Sequence, residues 1–453
     1  MNMSLSDTCR IVNGTMSGPD ARFSSVSINT RSLQRGDLFV AIRGEHFDAH
    51  DFLNIAVEKG SVGAIIGRQV TSELPTIRVK DTRLALGRLA REWRNSCNSL
   101  VIGVTGSNGK TTVKEMIASI LGLNGRVLFT QGNLNNEIGV PLTLLRLDQG
   151  DQYAVVEMGA NHPGEIAYSS SLAEPDVAVL TNAGSAHLEG FCSLQGVASA
   201  KGELVTSLSD DGVAILNADD RFFEYWRGLA GNARVLSFGL GTGANIRATD
   251  IEMTWTPAGV ENRFNLHLGG TWRSIRLQVA GTHNVCNALA AAAAAQAIGI
   301  NMDQIGEGLE NFRSVQGRVQ PVPGLAGSLL IDDTYNANPS SFEAAIEVLA
   351  QFKGERCVVL GAFAELGESS DELHKQVGLH ARNQGISRFF ATGEGAESAV
   401  DAFGDGARFF DCQSDLIEAS RELLSCHIVV LVKGSRSQKM DRVVEALRFS
   451  ESN

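Results

Sequence analysis

The sequence predicts an α/β chain of three domains. Three observations lead there. The chain has 453 residues, more than the roughly 250 to 300 at which a single core stops growing. Buried-strand runs alternate with helical patterns from Leu100 onward, the signature of a mainly parallel sheet. That alternation stops near Ser314-Val315-Gln316-Gly317 and then starts again.

Residues 1–98 carry short β-rich runs such as Asp37-Leu38-Phe39-Val40-Ala41-Ile42, then a basic helical stretch from Arg83 to Arg94. This predicts a small mixed α/β domain. The polar segment Asn95-Ser96-Cys97-Asn98-Ser99 reads as a linker. In the second domain, 99–316, the run Leu100-Val101-Ile102-Gly103-Val104 feeds a glycine loop and a helical pattern from Thr111 to Leu121. Further strands are predicted at Tyr153–Glu157, Val177–Leu180 and Val213–Leu216. An alanine-rich stretch, Ala288 to Ile300, suits a helix packed closely inside protein. The third domain, 317–453, has strand candidates at Leu329–Ile331, Cys357–Leu360, Arg388–Ala391 and Ile428–Val432, which predict a smaller open α/β fold.

Composition narrows the function classes. A charged fraction of 20% and an apolar fraction of 43% suit a soluble globular chain. The formal charge of -12 argues against a nucleic-acid backbone as main partner, so anionic substrates must meet local basic groups. Seven scattered cysteines with no C-x-x-C pair indicate neither a disulfide framework nor zinc, and they read as buried thiols in a reducing compartment. No secretory signal is visible at Met1-Asn2-Met3-Ser4, and no apolar stretch reaches the roughly 18 residues of a membrane span. A cytoplasmic location is expected.

The strongest local signal is Gly106-Ser107-Asn108-Gly109-Lys110-Thr111-Thr112. A strand delivers this loop to a helix start, where backbone N–H groups face phosphate oxygens. Gly106 and Gly109 give clearance, Lys110 reaches the β and γ phosphates, and the Thr111 hydroxyl ligates magnesium. The strict Walker spacing fails because its first position is Val104; a glycine turn with an incidental lysine is the bland alternative. Glu157 closes the next strand, where it either holds magnesium or forms a strand-end salt bridge. His187 follows the strand Val177–Leu180, and Lys201 lies in a helical pattern. Their chemistry alone promotes neither; a lone histidine is more often a satisfied polar group, and Lys201 reads as a solvated helix lysine. Asn284, in Gly281-Thr282-His283-Asn284, either meets a nucleotide base or caps the helix after it. Arg318 and Asp332-Asp333 sit where groups move toward ATP as domains close. Lys433-Gly434-Ser435-Arg436 suits a substrate carboxylate, or is a charged loop without function.

Taken together, Thr105 to Thr112, Gly132-Asn133-Leu134-Asn135-Asn136, Glu157-Met158-Gly159-Ala160-Asn161-His162, Ala186-His187-Leu188-Glu189-Gly190 and Gly281-Thr282-His283-Asn284 closely resemble the Mur ligase family, over essentially the whole chain. Asp333-Thr334-Tyr335-Asn336-Ala337-Asn338-Pro339, Ala364-Glu365-Leu366-Gly367 and Val432 to Ser437 are most similar to the member that adds a dipeptide. The Asp-Asn-Pro-Arg motif of the diaminopimelate-adding member is absent. The resemblance implies a UDP-substrate domain, a central P-loop ATPase domain and a C-terminal Rossmann-like domain for the incoming dipeptide. It implies an ATP-dependent ligase of peptidoglycan precursor synthesis, working through an acyl phosphate. The implied substrates are UDP-N-acetylmuramoyl-tripeptide and D-alanyl-D-alanine, and the implied enzyme is a monomer with two magnesium sites.

Residue by residue, the resemblance makes His187 a second-magnesium ligand and Lys201 a carbamoylated lysine beside it. Asn133 would lie near the phosphates or that metal, and Asn284, Asn287, Arg318 and Asp333 would contact ATP. Asn29, Arg31 and Asp48 would belong to the uridine site. Asn135, Asn136, Tyr335, Asn336, Asn338, Lys433 and Ser435 would bind substrate. Two departures stand out: the family's usual Asp-Ser/Thr-Arg is Asn29-Thr30-Arg31, and its usual Gly-Asp-Met is Gly361-Ala362-Phe363. The first keeps a hydrogen-bond acceptor. The second removes a charge beside an expected substrate or nucleotide surface. The competing readings are a sister ligase that adds one amino acid, and a P-loop switch or catalytically silent binding protein.

Overall fold

A computed structural model of the chain describes residues 1–449 apart from 45, 186, 187, 257 and 258. It is a mixed α/β fold in which sheets, mainly parallel, occupy successive stretches of sequence. The first large sheet has five strands in the order Thr15–Ser17, Thr76–Arg78, Gly63–Ile66, Asp37–Val40 and Ser25–Ser27, parallel except for the first pair. The helix Thr82–Asn95 then leaves it. Asp81 caps that helix by accepting from the Arg83 and Leu84 N–H groups, and Leu86, Leu89, Ala90 and Trp93 form its buried stripe.

That stripe packs onto the next part of the chain. One apolar cluster runs from Leu5, Leu38 and Trp93 to Val101, Val156 and Leu204. Polar ties reinforce it: Trp93 donates to the Leu147 carbonyl at 2.9 Å, Arg94 to the Ala173 carbonyl at 2.7 Å, and Arg91 to the Glu174 carboxylate. The segment at residues 95–99 therefore crosses a continuous core.

The central sheet has nine strands, in the order Thr271–Leu277, Gly259–Leu268, Ile246–Thr256, Arg234–Gly239, Val213–Asn217, Val177–Leu180, Leu100–Thr105, Tyr153–Glu157 and Val127–Phe129. From Ile246–Thr256 to Val127–Phe129 neighbours run parallel. The remaining pairs form an antiparallel meander. Leu100–Thr105 is the place where the order reverses, so a crevice opens beyond its C-terminal end. The helix Lys110–Leu121 starts there. Ala288 to Ala295, in the helix Thr282–Ala297, are all fully buried in the same core as Ile117 and Ile120. Their small side chains let helix and sheet approach closely. Among the described residues no helix is long and apolar enough to cross a membrane.

The third sheet has six strands, Gln320–Pro323, Leu329–Asp333, Ile428–Lys433, Glu355–Gly361, Arg388–Thr392 and Ala407–Phe410, parallel except for the first pair. Its helix Pro339–Ala350 begins with a capping box between Asn338 and Ser341. The parallel register places Asp333 opposite Lys433 at the strand ends. The strand predicted at Leu329–Ile331 runs on to Asp333, so Asp332 and Asp333 are its last two residues.

Candidate active site

The glycine loop leaves the strand Leu100–Thr105 in a conformation that only glycine accommodates easily. Gly106 has φ +147° and Gly109 φ +83°. A Cβ on Gly106 would lie 1.9 Å from the Thr181 hydroxyl, and one on Gly109 2.3 Å from the Asn287 amide oxygen. Clearance is thus needed by the protein itself as well as by a ligand. Gly106→Ala is expected to lose roughly 2 to 5 kcal/mol from backbone strain and overpacking together, read as a lowered urea midpoint.

Neighbouring segments fix the loop. The Ser107 N–H donates to the Asn182 carbonyl at 3.0 Å, and the Asn108 N–H to the Asn182 side chain at 2.9 Å. Thr181 donates its hydroxyl to the Asn108 carbonyl at 2.6 Å. With those N–H groups committed, the donors left facing the crevice are at the start of the helix Lys110–Leu121, whose N-cap Gly109 offers no side-chain cap. An uncapped helix start inside a cleft suits phosphate. Lys110 folds back onto the Gly106 and Ser107 carbonyls at 2.6 and 3.3 Å. Burial pulls its ammonium below the ordinary lysine range; Glu157 opposes that shift and Arg318 adds to it.

Glu157 is almost wholly buried at the end of its strand. One carboxylate oxygen accepts from Asn135 at 2.8 Å. The other is buried with no partner among the described residues. An orphaned anionic oxygen there fits a cation. Lys114, which the sequence did not mark, is buried and donates to the Thr130 carbonyl at 2.6 Å. The Thr130 hydroxyl accepts the Glu157 N–H at 2.9 Å. Lys114 and Thr130 thereby hold both Glu157 and the loop that carries Asn133, Asn135 and Asn136. No group of three His, Cys, Asp or Glu side chains that could hold a metal occurs among the described residues. Magnesium bound through one or two protein oxygens plus substrate phosphates requires none.

Lys201 corrects a sequence expectation. It is not a solvated helix lysine: its exposure is 1% on the helix Leu194–Thr206, with its ammonium 5.5 Å from the Phe191 ring centre. Burial, reinforced by the Lys110 charge, pulls its pKa down to about 7 against the opposing Glu165 and Glu203. His187 lies outside the described residues. The capping alternative for Asn284 also fails. Gly281 is the N-cap, while Asn284 donates to the Ala280 carbonyl at 2.7 Å and accepts from Asn287 at 3.0 Å.

The third sheet closes over the glycine loop. Arg318 donates to the Thr111 hydroxyl at 3.0 Å and stacks over the Tyr335 ring at 4.3 Å. Asn338 donates to the Asn108 side chain at 2.8 Å, which in turn donates to Ser340 at 2.8 Å. Lys433 is buried against Asp333 at 2.5 Å and also donates to the Asn336 carbonyl at 3.2 Å. Beside them burial lowers the His283 pKa to about 4, with Asp333 opposing and Lys433 assisting, so the ring stays neutral. Ser435 accepts the Ala364 N–H at 2.7 Å.

These elements enclose a cleft of about 1040 Å³. Of the sequence-predicted residues it is lined by Ser107 to Thr112, Asn133, Asn135, Asn136, Glu157, Asn284, Asn287, Arg318, Asp333, Tyr335, Asn336, Asn338, Lys433 and Ser435. Asn29, Arg31, Asp48, Gly106 and Lys201 are not among the residues that line it. Asn29 instead accepts the Arg31 N–H at 2.9 Å. Burial would raise the Asp48 carboxyl, but hydrogen bonds from His50 and Arg68 hold it at about 2. Ala362 does not itself line the cleft, although its carbonyl accepts the N–H of the cleft residue Ser435 at 3.4 Å. It is buried in the third sheet's core beside Phe363, and Ala364 to Leu366 line the cleft in its place.

Comparison with known proteins agrees with this arrangement. A family model described as the Mur ligase middle domain matches residues 104–295, and one described as the Mur ligase, glutamate ligase domain matches residues 317–436. The chain is 43% identical to the UDP-N-acetylmuramoyl-tripeptide--D-alanyl-D-alanine ligase of Escherichia coli K12, covering 99% of each. It is similar to a crystal structure of MurF from Acinetobacter baumannii (TM-score 0.93, 37% identity, 98% of each chain). It is also similar to MurF from Thermotoga maritima in complex with ADP (TM-score 0.83, 30% identity, 93% of this chain and 96% of that one). With both family models matched in chain order and full-length relatives above 30% identity, the chain belongs to the Mur ligase family.

Proposed function

We propose that the chain joins UDP-N-acetylmuramoyl-tripeptide to D-alanyl-D-alanine with hydrolysis of ATP to ADP and phosphate, in peptidoglycan precursor synthesis. The observation that carries the reading is the cleft itself, where an uncapped helix start, Lys110 and the unpartnered oxygen of Glu157 converge. The names of the full-length relatives support the same substrates, and the ADP complex of one relative supports the nucleotide.

A carboxylate resists amine attack at neutral pH, so the tripeptide carboxylate first takes the γ-phosphoryl group and releases ADP. The dipeptide amine then attacks the acyl carbon of that acyl phosphate, the amide bond forms, and phosphate leaves with the shared electron pair. The amine's proton passes to solvent. Lys110 and the helix N–H groups offset charge on the moving phosphoryl group. Arg318, already at Thr111, adds a second cation, and Asn284, Asn287 and Asp333 position the nucleotide. Closure of the third sheet over the loop excludes water that would hydrolyse the intermediate.

Magnesium, when bound, neutralises the phosphate oxygens, and Thr111 and Glu157 would hold it. The neutral Lys201 amine adds to carbon dioxide, losing one proton and becoming an anionic carbamate. With His187 it would hold a second ion. Asn29, Arg31 and Asp48, in the loops that follow the strands Ser25–Ser27 and Asp37–Val40, would take the uridine nucleotide. The residues divide as 1–98 for the UDP substrate, 99–316 for ATP and 317–453 for the dipeptide. The whole site lies on one chain, so a monomer suffices, and ATP as co-substrate fits the cytoplasm.

Phosphate release with each substrate omitted in turn tests this reading. Release is expected only when ATP, the UDP-tripeptide and the dipeptide are all present. Release independent of both acceptor and donor would sink the ligase reading, and a single amino acid replacing the dipeptide would favour a sister enzyme.

A further inference from the structure

In the proposed reaction only the amine of the dipeptide reacts; its terminal carboxylate enters a protein of net charge -12 and leaves unchanged. A specific cation must receive it. The cleft offers four long cationic side chains, and three are already committed. Lys110 is bound to the carbonyls of its own loop. Arg318 is hydrogen-bonded to Thr111 and stacked on Tyr335. Lys433, one of the two cations in the loop that the sequence offers for a carboxylate, is 1% exposed and locked to Asp333.

Arg436 is different. Its backbone N–H is tied to the Asn336 side chain at 3.4 Å, which fixes the start of its turn. Its side chain is 67% exposed, its guanidinium makes no hydrogen bond among the described residues, and its ion-pair partner Asp441 is 3.8 Å away. It stands 6.0 Å from the centre of the same Tyr335 ring that Arg318 covers, beside Ser435 on the cleft wall. We infer that Arg436, not Lys433, binds the terminal carboxylate of the incoming dipeptide. This rests on the ligase reading above. A guanidinium fork matches a carboxylate in two parallel hydrogen bonds, which a compact ammonium cannot.

The test compares D-alanyl-D-alanine with its C-terminal amide in the full-length enzyme. Charge-assisted hydrogen bonds of this kind are worth roughly 1.5 to 3 kcal/mol, so the unaltered chain should prefer the acid by about 10- to 100-fold in kcat/KM. Arg436→Met is expected to reduce that preference to within about threefold, with the KM for ATP little changed, and Arg436→Lys should fall between. A preference that survives in Arg436→Met overturns the assignment. So does an equal loss for acid and amide, which marks a structural role. An unaltered chain that treats both forms alike also overturns it while leaving the ligase reading intact. Turnover of neither form sinks both.

Discussion

Lys201→Ala is expected to lower ligase turnover by roughly 10²- to 10³-fold, the cost of removing one group that stabilises developing charge, and acetate or another small carboxylate is expected to restore part of it. The amine is buried, has no ion-pair partner among the described residues and has a pKa of about 7. Only the neutral amine adds to carbon dioxide, so carbamate formation should increase as pH rises through that value. Truncation leaves a space that a small carboxylate can fill in place of the carbamate. A second readout separates chemistry from folding. Below about pH 7 the unmodified fold must bury an ammonium, whereas the unfolded chain keeps its lysine charged up to the ordinary lysine range. Stability therefore rises with pH between those limits. Lys201→Met removes the buried charge while keeping most of the volume. Its unfolding temperature should hold or increase in carbon-dioxide-free buffer although activity is lost. Full activity in Lys201→Ala, with no effect of acetate, would remove Lys201 from the site.

Glu157→Gln should be comparably severe, on the order of 10² to 10³ in kcat, for a separable reason. The glutamine carbonyl can still accept from Asn135, as one carboxylate oxygen does now. The fold is therefore expected to survive. What changes is the second oxygen, buried and without a partner, which becomes an amide nitrogen and repels a cation. ADP affinity measured with magnesium should fall toward the value measured in EDTA, and that EDTA value should not move. Parallel loss of both affinities would show that Glu157 supports the glycine loop and does not hold metal.

Much of this was legible in the sequence where local pattern and environment coincide. Tyr153–Glu157 and Val177–Leu180 are read to the residue because buried parallel strands are continuous apolar runs. The helix after the glycine loop starts one residue early, at Lys110. The antiparallel meander of residues 246–277 was missed, although Val260, Phe264, Leu266 and Leu268 bury every second residue over much of one strand. That period of two was there to be found. Lys201 and Lys114 were not legible: each lies in an ordinary helical sequence and is buried only because distant segments pack over it. That Lys433, of the two cations in its loop, is taken up by Asp333 depends on strand register and cannot be read from one loop alone.

The apolar cluster that joins the five-stranded and nine-stranded sheets bears on how such enzymes can be recombined. The joint near residue 316 is bridged both by polar groups, such as Arg318 on Thr111 and Asn338 on Asn108, and by an apolar patch where Val260, Ala280 and Trp255 meet Phe342, Val348 and Phe352. A donor's C-terminal part grafted there has to match those polar side chains and the facing apolar patch. A graft at residue 98 would have to rebuild the packing around Trp93, Val101 and Leu204 as well. On the proposed division of substrates, the five-stranded and nine-stranded sheets form one packed body and are best exchanged together.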